Sequence, residues 1–158
     1  MSHLYFAYGS NLEPVQMKRR CPGSAPVGQA VLPDHRLSFP VRSDGDWLGG
    51  VASVEPSPGK AVHGVLYRIT DEDLAELDLY EAVAEGMYRR EMIGVWPVGD
   101  PNPQQAWTYI ALPDPQGPSP PSRAYLDVIL LGARYYGLPP AYIQQLAAIR
   151  TADSDSLH

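Results

Sequence analysis

The alternation of hydrophobic and polar positions predicts most of the strands in this chain. An apolar, aromatic run at residues 4–8 predicts a buried first strand, and residues 61–69 predict another strand with at least one buried face. Shorter apolar segments bounded by turn residues predict the remaining strands. These segments lie near residues 27–32, 36–39, 50–54, 88–98 and 105–112, with breaks expected at Pro33-Asp34, at residues 43–46 and from Pro56 to Gly59.

Capping residues and prolines mark the starts of four predicted helices. The side chain of a capping residue accepts a hydrogen bond from a first-turn amide that has no partner in the helix, and proline has no amide hydrogen that needs a partner. The helices cover residues 14–20, 70–81 and 122–136, and a last one follows Leu138-Pro139-Pro140 through residue 149. Strands interrupted by helices without strict alternation favour a compact α+β fold. We expect a single domain over residues 1–150 and a flexible polar tail at 151–158.

Composition and charge narrow the possible functions. With 158 residues and 44% hydrophobic content, the chain suits one globular core. Its formal net charge of −6 argues against a general nucleic-acid binder, so we interpret the basic run Lys18-Arg19-Arg20 as the solvated face of a helix. No apolar run reaches the length of a membrane span, and no membrane association is expected.

Cysteine and histidine usage argues against disulfides and metal sites. Cys21 is the only cysteine, which excludes an intramolecular disulfide and a cysteine-based zinc cluster, and we interpret its thiol as structural. The four histidines are scattered without paired ligand spacing, so no metal site is expected. Because the chain also begins without a leader-like segment, these features predict a cytoplasmic protein.

The turn Gly9-Ser10-Asn11 follows the first strand abruptly and is the first candidate binding site. Glycine permits backbone angles that other residues avoid, while serine and asparagine bond to local backbone or to a ligand. If a helix follows, its first amides lack partners and attract an anion. From the residues alone, a carboxylate site and a plain strand-to-helix turn are equally supported.

Glu81 is the candidate acid for chemistry. On the predicted helix it shares a stripe with Leu74 and Leu77, so the pattern puts a carboxylate where a core residue is expected. Burial would raise the pKa of that carboxyl toward the range useful for proton transfer. Three alternatives remain open at this stage: the helix ends before Glu81, Glu81 pairs with Arg89 or Arg90, or it faces solvent.

Two motifs, supported by two later segments, resemble the γ-glutamylcyclotransferase family. The run Tyr5-Phe6-Ala7-Tyr8-Gly9-Ser10-Asn11-Leu12 is similar to its N-terminal signature, and residues 77–88, ending in Gly86-Met87-Tyr88, are similar to its acidic motif. Residues 120–125 and 132–139 also match the family's course. The resemblance implies a small mixed β-barrel packed by helices, and a cofactor-independent enzyme that cyclises a γ-glutamyl group to 5-oxoproline.

The resemblance also implies roles for individual residues. Glu81, and not Glu85, corresponds to the catalytic acid, while the first motif holds the γ-glutamyl group and two later tyrosines form the pocket walls. The implied substrate-binding residues are Tyr5, Ala7, Tyr8, Gly9, Ser10, Asn11, Leu12, Tyr88 and Tyr125. Ala82 departs from the family, which often has glycine there, and its methyl group is expected to narrow the pocket.

Other functions and features stay open. One alternative is removal of a γ-glutamyl protecting group in a biosynthetic pathway, which uses the same chemistry, and another is a non-catalytic binding module. The substrate is expected to be a small molecule, and a homodimer is possible. The proline-rich segment 113–121 suits either an ordinary surface connection or a lid over the site.

Overall fold

The computed structural model describes residues 1–43 and 49–152 and contains a closed five-stranded barrel. Its strands neighbour one another in the order β1-β3-β2-β4-β5, with β1 and β5 parallel and the other pairs antiparallel. The predicted mixed barrel is therefore confirmed. The strands are β1 (Ser2–Ala7), β2 (Ala25–Ser43), β3 (Gly49–Thr70), β4 (Tyr88–Pro97) and β5 (Gln104–Ala111).

Helices cover the barrel at the places where the caps predict them. A one-turn 3₁₀ helix, Ser10–Leu12, follows β1, and the α-helices are α1 (Pro14–Arg20), α2 (Asp71–Tyr80), α3 (Arg123–Tyr135) and α4 (Pro140–Ala147). Thr70 closes a capping box with Asp73, and Ser122 accepts a hydrogen bond from the Tyr125 amide. The last predicted helix is shorter than expected, because it ends at Ala147.

The breaks predicted at prolines are wrong for two strands. Residues 27–32 and 36–39 belong to the single strand β2, and residues 50–54 and 61–69 belong to β3. The pairing instead shifts register between Pro33 and His35, and Asp34 has a φ of 58°. A bulge tolerates a proline that a regular ladder would exclude. Of the turn predicted at 43–46, Ser43 belongs to β2 and the rest lies outside the described residues.

The segment after β1 is held against α3 by close packing. In α3, Leu126 and Ile129 are fully buried, and Gly132 faces the end of the 3₁₀ helix. A Cβ added at Gly132 would lie 2.3 Å from the carbonyl carbon of Leu12, far inside van der Waals contact. The glycine therefore allows the close approach that fixes the position of the turn.

The proline-rich segment is anchored at its C-terminal end. The Ser119 amide donates to the Phe39 carbonyl at 3.1 Å, and the Gly50 amide donates to the Pro120 carbonyl at 2.8 Å. The Ala152 amide donates to the Pro121 carbonyl at 2.8 Å, and Thr151 is buried. The first two residues of the predicted flexible tail are thus held in place, while 153–158 lie outside the described residues. No helix in the described ranges is long and apolar enough to cross a membrane.

Candidate active site

A cavity of about 110 Å³ lies where β1 ends, beside the first turn (residues 9–12). It brings together Glu81 and seven of the nine predicted substrate-binding residues. The residues that line it are Tyr5, Tyr8, Gly9, Ser10, Asn11, Arg20, Ser43, Val51, Ala52, Tyr80, Glu81, Met87, Tyr88, Tyr109 and Tyr125. Six tyrosines and one glutamate make this a site with few charges and many neutral hydroxyl groups.

Glu81 enters the cavity from the end of α2. The helix ends at Tyr80, and the Glu81 amide donates to the Leu77 carbonyl at 2.9 Å as the closing residue. Part of the residue is reachable by solvent, but its carboxyl group lies among the cavity tyrosines. Burial raises the pKa of this carboxyl from 4.5 to about 7, and the opposing charge of Arg20 lowers it by a smaller amount.

The alternatives left open for Glu81 can now be compared with the structure. The helix does end before it, yet the carboxylate still lines the cavity. Neither predicted arginine pairs with it, because Arg89 pairs with Glu91 at 3.0 Å and Arg90 pairs with Asp78 at 2.9 Å. Glu85, four residues after Glu81, is exposed and does not line the cavity.

Ala82 does not narrow the cavity as expected. It is not among the lining residues, and it adopts a φ of 52°, in the left-handed region that favours glycine. The sharp turn after α2 requires this conformation, since the Met87 amide donates back to the Ala82 carbonyl at 3.1 Å. The cost of alanine at this position is therefore backbone strain and not lost space.

Arg20 is a cavity residue that the sequence interpretation missed. Its Nη1 donates to Asn11 Oδ1 at 3.1 Å, and its guanidinium lies 4.6 Å from the centre of the Tyr80 ring. Gln16, one helical turn earlier, donates to Ser10 Oγ at 2.8 Å. Gln16 and Arg20 are four residues apart and therefore lie on the same face of α1, whereas the neighbouring Arg19 is exposed to solvent. A three-residue basic run does not by itself reveal that difference.

The first turn presents backbone amides beside the cavity. The Leu12 amide donates to the Gly9 carbonyl at 3.0 Å, and the Glu13 amide donates to the Ser10 carbonyl at 3.0 Å. The amides of Gly9, Ser10 and Asn11 have no backbone partner among the described residues. These three groups are the ones that remain available to an anion.

Two predicted site residues lie outside the cavity wall. Ala7 and Leu12 are both fully buried, and neither lines the cavity. Ala7 pairs with Val65 in the barrel ladder, and Leu12 packs below α3 with its amide already bonded. In the structure both residues take part in the packing of the strand and turn.

Neighbouring residues leave little room for a side chain at Gly9. Its φ is −112°, so it does not use the left-handed region that the sequence suggested. A Cβ at Gly9 would lie 3.4 Å from the Ala52 Cβ and 3.5 Å from the Tyr125 hydroxyl. Any longer side chain would extend into the cavity.

The backbone of Ala52 organises three of the tyrosines. The Tyr88 hydroxyl donates to the Ala52 carbonyl at 2.6 Å, and the Ala52 amide donates to the Tyr125 hydroxyl at 2.9 Å. The Tyr8 hydroxyl donates to the Tyr109 carbonyl at 2.6 Å and lies 3.5 Å from the Ala52 carbonyl. Burial raises the pKa of these cavity tyrosines well above its ordinary value, so they stay neutral. Ala52 carries no sequence signal because its backbone makes the contacts.

Cys21 is a structural residue. Its side chain is fully buried, and its Sγ lies 3.7 Å from the Asp73 carbonyl oxygen. Burial raises the pKa of the thiol to about 12, which disfavours the nucleophilic thiolate. In residues 1–43 and 49–152 no group of three or more metal-ligating side chains is close enough to hold a metal ion.

Comparisons with known proteins agree with this architecture. The model of the AIG2-like family matches residues 61–146. A human protein named gamma-glutamylcyclotransferase is 34% identical over 155 residues, which cover 96% of this chain and 81% of the human one. A cattle protein of the same name is also 34% identical, with the same coverage. A solved structure titled gamma-glutamyl cyclotransferase superposes with a TM-score of 0.90 at 33% identity, covering 97% of this chain and 90% of the other.

Proposed function

The chain belongs to the AIG2-like family and is a relative of the proteins named gamma-glutamylcyclotransferase. On that premise we propose that it catalyses the γ-glutamylcyclotransferase reaction. Its substrate is a γ-glutamyl amino acid or γ-glutamyl amine. The α-amine of the γ-glutamyl group attacks the γ-carbonyl carbon, which closes the ring of 5-oxoproline and releases the attached amine. Because both reacting groups belong to one molecule, holding the reactive conformer contributes much of the rate enhancement.

Glu81 moves the proton in this proposal. Attack requires a neutral α-amine, while the free substrate carries an ammonium group, so a base must first accept a proton. The same group then donates a proton to the departing nitrogen. A carboxyl whose pKa is about 7 is suited to both directions near neutral pH, whereas a carboxyl at its ordinary value is a poor acid there.

The first turn binds the α-carboxylate. The amides of Gly9, Ser10 and Asn11 lack backbone partners in the described part of the chain, and all three residues line the cavity with Glu81. Amides held in a fixed turn bind an anion without a free-energy cost for rearranging the backbone. Tyr5, Tyr8, Tyr88 and Tyr125 enclose the rest of the group.

The observation that carries the proposal is the position of Glu81, which lines the same cavity as these amides. Burial there raises the pKa of its carboxyl to about 7. A module that only bound an anion would gain nothing from an acid there, and its charge would weaken binding. Neither a metal nor a cofactor is required by the steps above. A cytoplasmic location is part of the same proposal, and it is supported by the single buried thiol.

The direct test is a product assay. The purified protein is incubated with a panel of γ-glutamyl amino acids and γ-glutamyl amines, and 5-oxoproline is measured by mass spectrometry. We expect 5-oxoproline and free amine in equal amounts from at least one member of the panel. Release of free glutamate would indicate hydrolysis, and no product from any member would refute the proposed activity.

A further inference from the structure

We infer that the Tyr5 hydroxyl donates a hydrogen bond to the reacting γ-carbonyl oxygen, and that Arg20, acting through Asn11, is the positioning residue that orients it. The inference rests on the proposed function for the identity of the substrate. It follows from the direction of three consecutive hydrogen bonds beside the cavity.

The first bond fixes the orientation of the Asn11 side chain. Arg20 Nη1 lies 3.1 Å from one polar atom of the Asn11 carboxamide. A guanidinium group has only donors, so this atom must be the oxygen. Gln16 Nε2 approaches the same atom at 3.2 Å, which is consistent with an acceptor there. The positions of the oxygen and nitrogen in the Asn11 side-chain carboxamide are therefore fixed.

The second bond follows from the first. With its oxygen toward Arg20, Asn11 directs Nδ2 at the Tyr5 hydroxyl, 2.9 Å away. An amide nitrogen can only donate, so the Tyr5 oxygen accepts and its own proton points elsewhere. Within the described residues, the structure contains no acceptor for that proton. Because Tyr5 is otherwise buried and its exposed part lines the cavity, the proton is available to a ligand.

Two neighbouring tyrosines use their hydroxyl groups in the opposite direction, as hydrogen-bond donors to the protein. The hydroxyl protons of Tyr8 and Tyr88 are both committed to backbone carbonyls, each at 2.6 Å. Toward a ligand these hydroxyls offer lone pairs, which suit the hydrogens of an ammonium or amine group. Tyr5 therefore differs from Tyr8 and Tyr88 in what it can bind, although all three look alike in the sequence.

The reaction needs a donor of this kind. As the α-amine nitrogen forms its bond to the γ-carbon, the carbonyl π electrons move to oxygen, and that negative charge must be stabilised. When the intermediate collapses, the electrons return and the bond to the departing nitrogen breaks. Tyr5 keeps its proton throughout, since burial and the nearby Glu81 charge raise its pKa far above the ordinary value. Glu81 alone carries the transferred proton.

The test is a cycle of variants measured by 5-oxoproline formation. Tyr5→Phe should lower kcat about a hundredfold, with a smaller rise in KM of at most about tenfold, because the hydroxyl bonds more strongly to the developing oxyanion than to the carbonyl oxygen. At a pH above the rise that Glu81 controls, Arg20→Met should lower kcat about tenfold when Tyr5 is present and less than twofold in the Tyr5→Phe background. Arg20→Lys, which keeps a pure donor, should recover part of the loss, and the exposed Arg19→Met is the matched control.

Several results would overturn the inference. If Arg20→Met lowers kcat equally in both backgrounds, or changes only KM, then Arg20 does not act through Tyr5. If Tyr5→Phe leaves kcat unchanged, or shifts the pH profile assigned to Glu81, then Tyr5 does not bond to the carbonyl oxygen. A readout without turnover separates this inference from the proposed function. Calorimetric binding of 5-oxoproline, whose ring carbonyl derives from the γ-carbonyl, should weaken about tenfold in Tyr5→Phe. It should stay unchanged in the control Tyr142→Phe, because Tyr142 is a buried tyrosine on α4 that does not line the cavity.

Discussion

The two walls of the cavity are built in opposite ways. On the first turn, the polar side chains of Ser10 and Asn11 are held by Gln16, Arg20 and Tyr5 through hydrogen bonds of 2.8–3.2 Å. On the segment after α2, the Glu81 carboxyl has no hydrogen bond or ion pair with any residue that the structure describes. Side chains held in this way suit binding because they fix the geometry of the turn before the ligand arrives. An unbonded, buried carboxyl suits proton transfer because neither of its protonation states is locked.

Glu81→Gln should have the largest effect on turnover. The amide keeps the shape of the side chain but cannot relay a proton, so we expect turnover to fall by about two to four orders of magnitude while 5-oxoproline still binds. The exposed Glu85→Gln is the matched control and should be close to wild type. Similar losses in the two variants, with both proteins folded, would contradict the assignment of the acid.

Gly9→Val should damage the binding wall and leave the acid intact. A side chain at Gly9 meets Ala52 and the Tyr125 hydroxyl at 3.4–3.5 Å with its first carbon, and the further carbons of valine would enter the cavity. We expect affinity for 5-oxoproline to fall by about tenfold or more, and by less in Ser10→Ala. Thermal shifts with ligand would show the difference. An unaltered affinity in Gly9→Val would mean that substrate is held elsewhere.

The pH dependence should sharpen the account of Glu81. With the pKa of its carboxyl near 7, kcat/KM should rise with pH through that region as the base form appears. Because the positive charge of Arg20 lowers this pKa, Arg20→Met should move the rise to higher pH, whereas Arg19→Met should not. A rise centred near 4.5, the ordinary pKa of a glutamate carboxyl, would mean that burial does not raise the pKa of Glu81.

The same shift makes a prediction about stability. The folded state binds the Glu81 proton more tightly than the unfolded state does, so this residue favours folding below about pH 4.5 and loses that contribution as pH rises to about 7. Thermal unfolding should therefore show a smaller loss of stability between pH 5 and pH 8 in Glu81→Gln than in the wild type. Identical pH dependence in the two proteins would contradict a raised pKa.

Cys21→Ser should have the smallest effect on activity. The buried thiol takes no part in either wall, so the folded variant should keep kcat within about twofold, although its stability falls somewhat because a hydroxyl replaces a buried sulfur. Exhaustive chelation should also leave the rate unchanged. Loss of activity on chelation, restored by zinc, would overturn the proposed mechanism.

Sequence reasoning recovered the parts of this molecule that depend on local chemistry. Thr70 and Ser122 mark helix starts because a cap acts within three residues. Glu81 becomes a candidate acid because a carboxylate interrupts an apolar stripe, and the family resemblance favours it over the alternatives. The barrel itself came from the family resemblance. Pro33 and Pro56 were misread as strand ends, because a bulge that accommodates proline depends on the partner strand.

The missed features depend on contacts between distant segments. Ala52 acts through its carbonyl and amide, which every residue possesses, so only the fold reveals it. Arg20 looks like its basic neighbours until the helix phase and the Asn11 contact distinguish it. Ala7 and Leu12 match the motif but serve the core, since a motif records everything that a loop needs and not only what its ligand touches.

The central claim, that Glu81 is an acid and base poised near neutrality, can be tested by observing its carboxyl directly. The measurement is a ¹³C NMR titration of protein labelled at glutamate side-chain carboxyls, with the Glu81 signal assigned by its loss in Glu81→Gln. The account predicts a midpoint near pH 7 for Glu81, well separated from exposed glutamates such as Glu85. A midpoint for Glu81 that coincides with those of the exposed glutamates would contradict it.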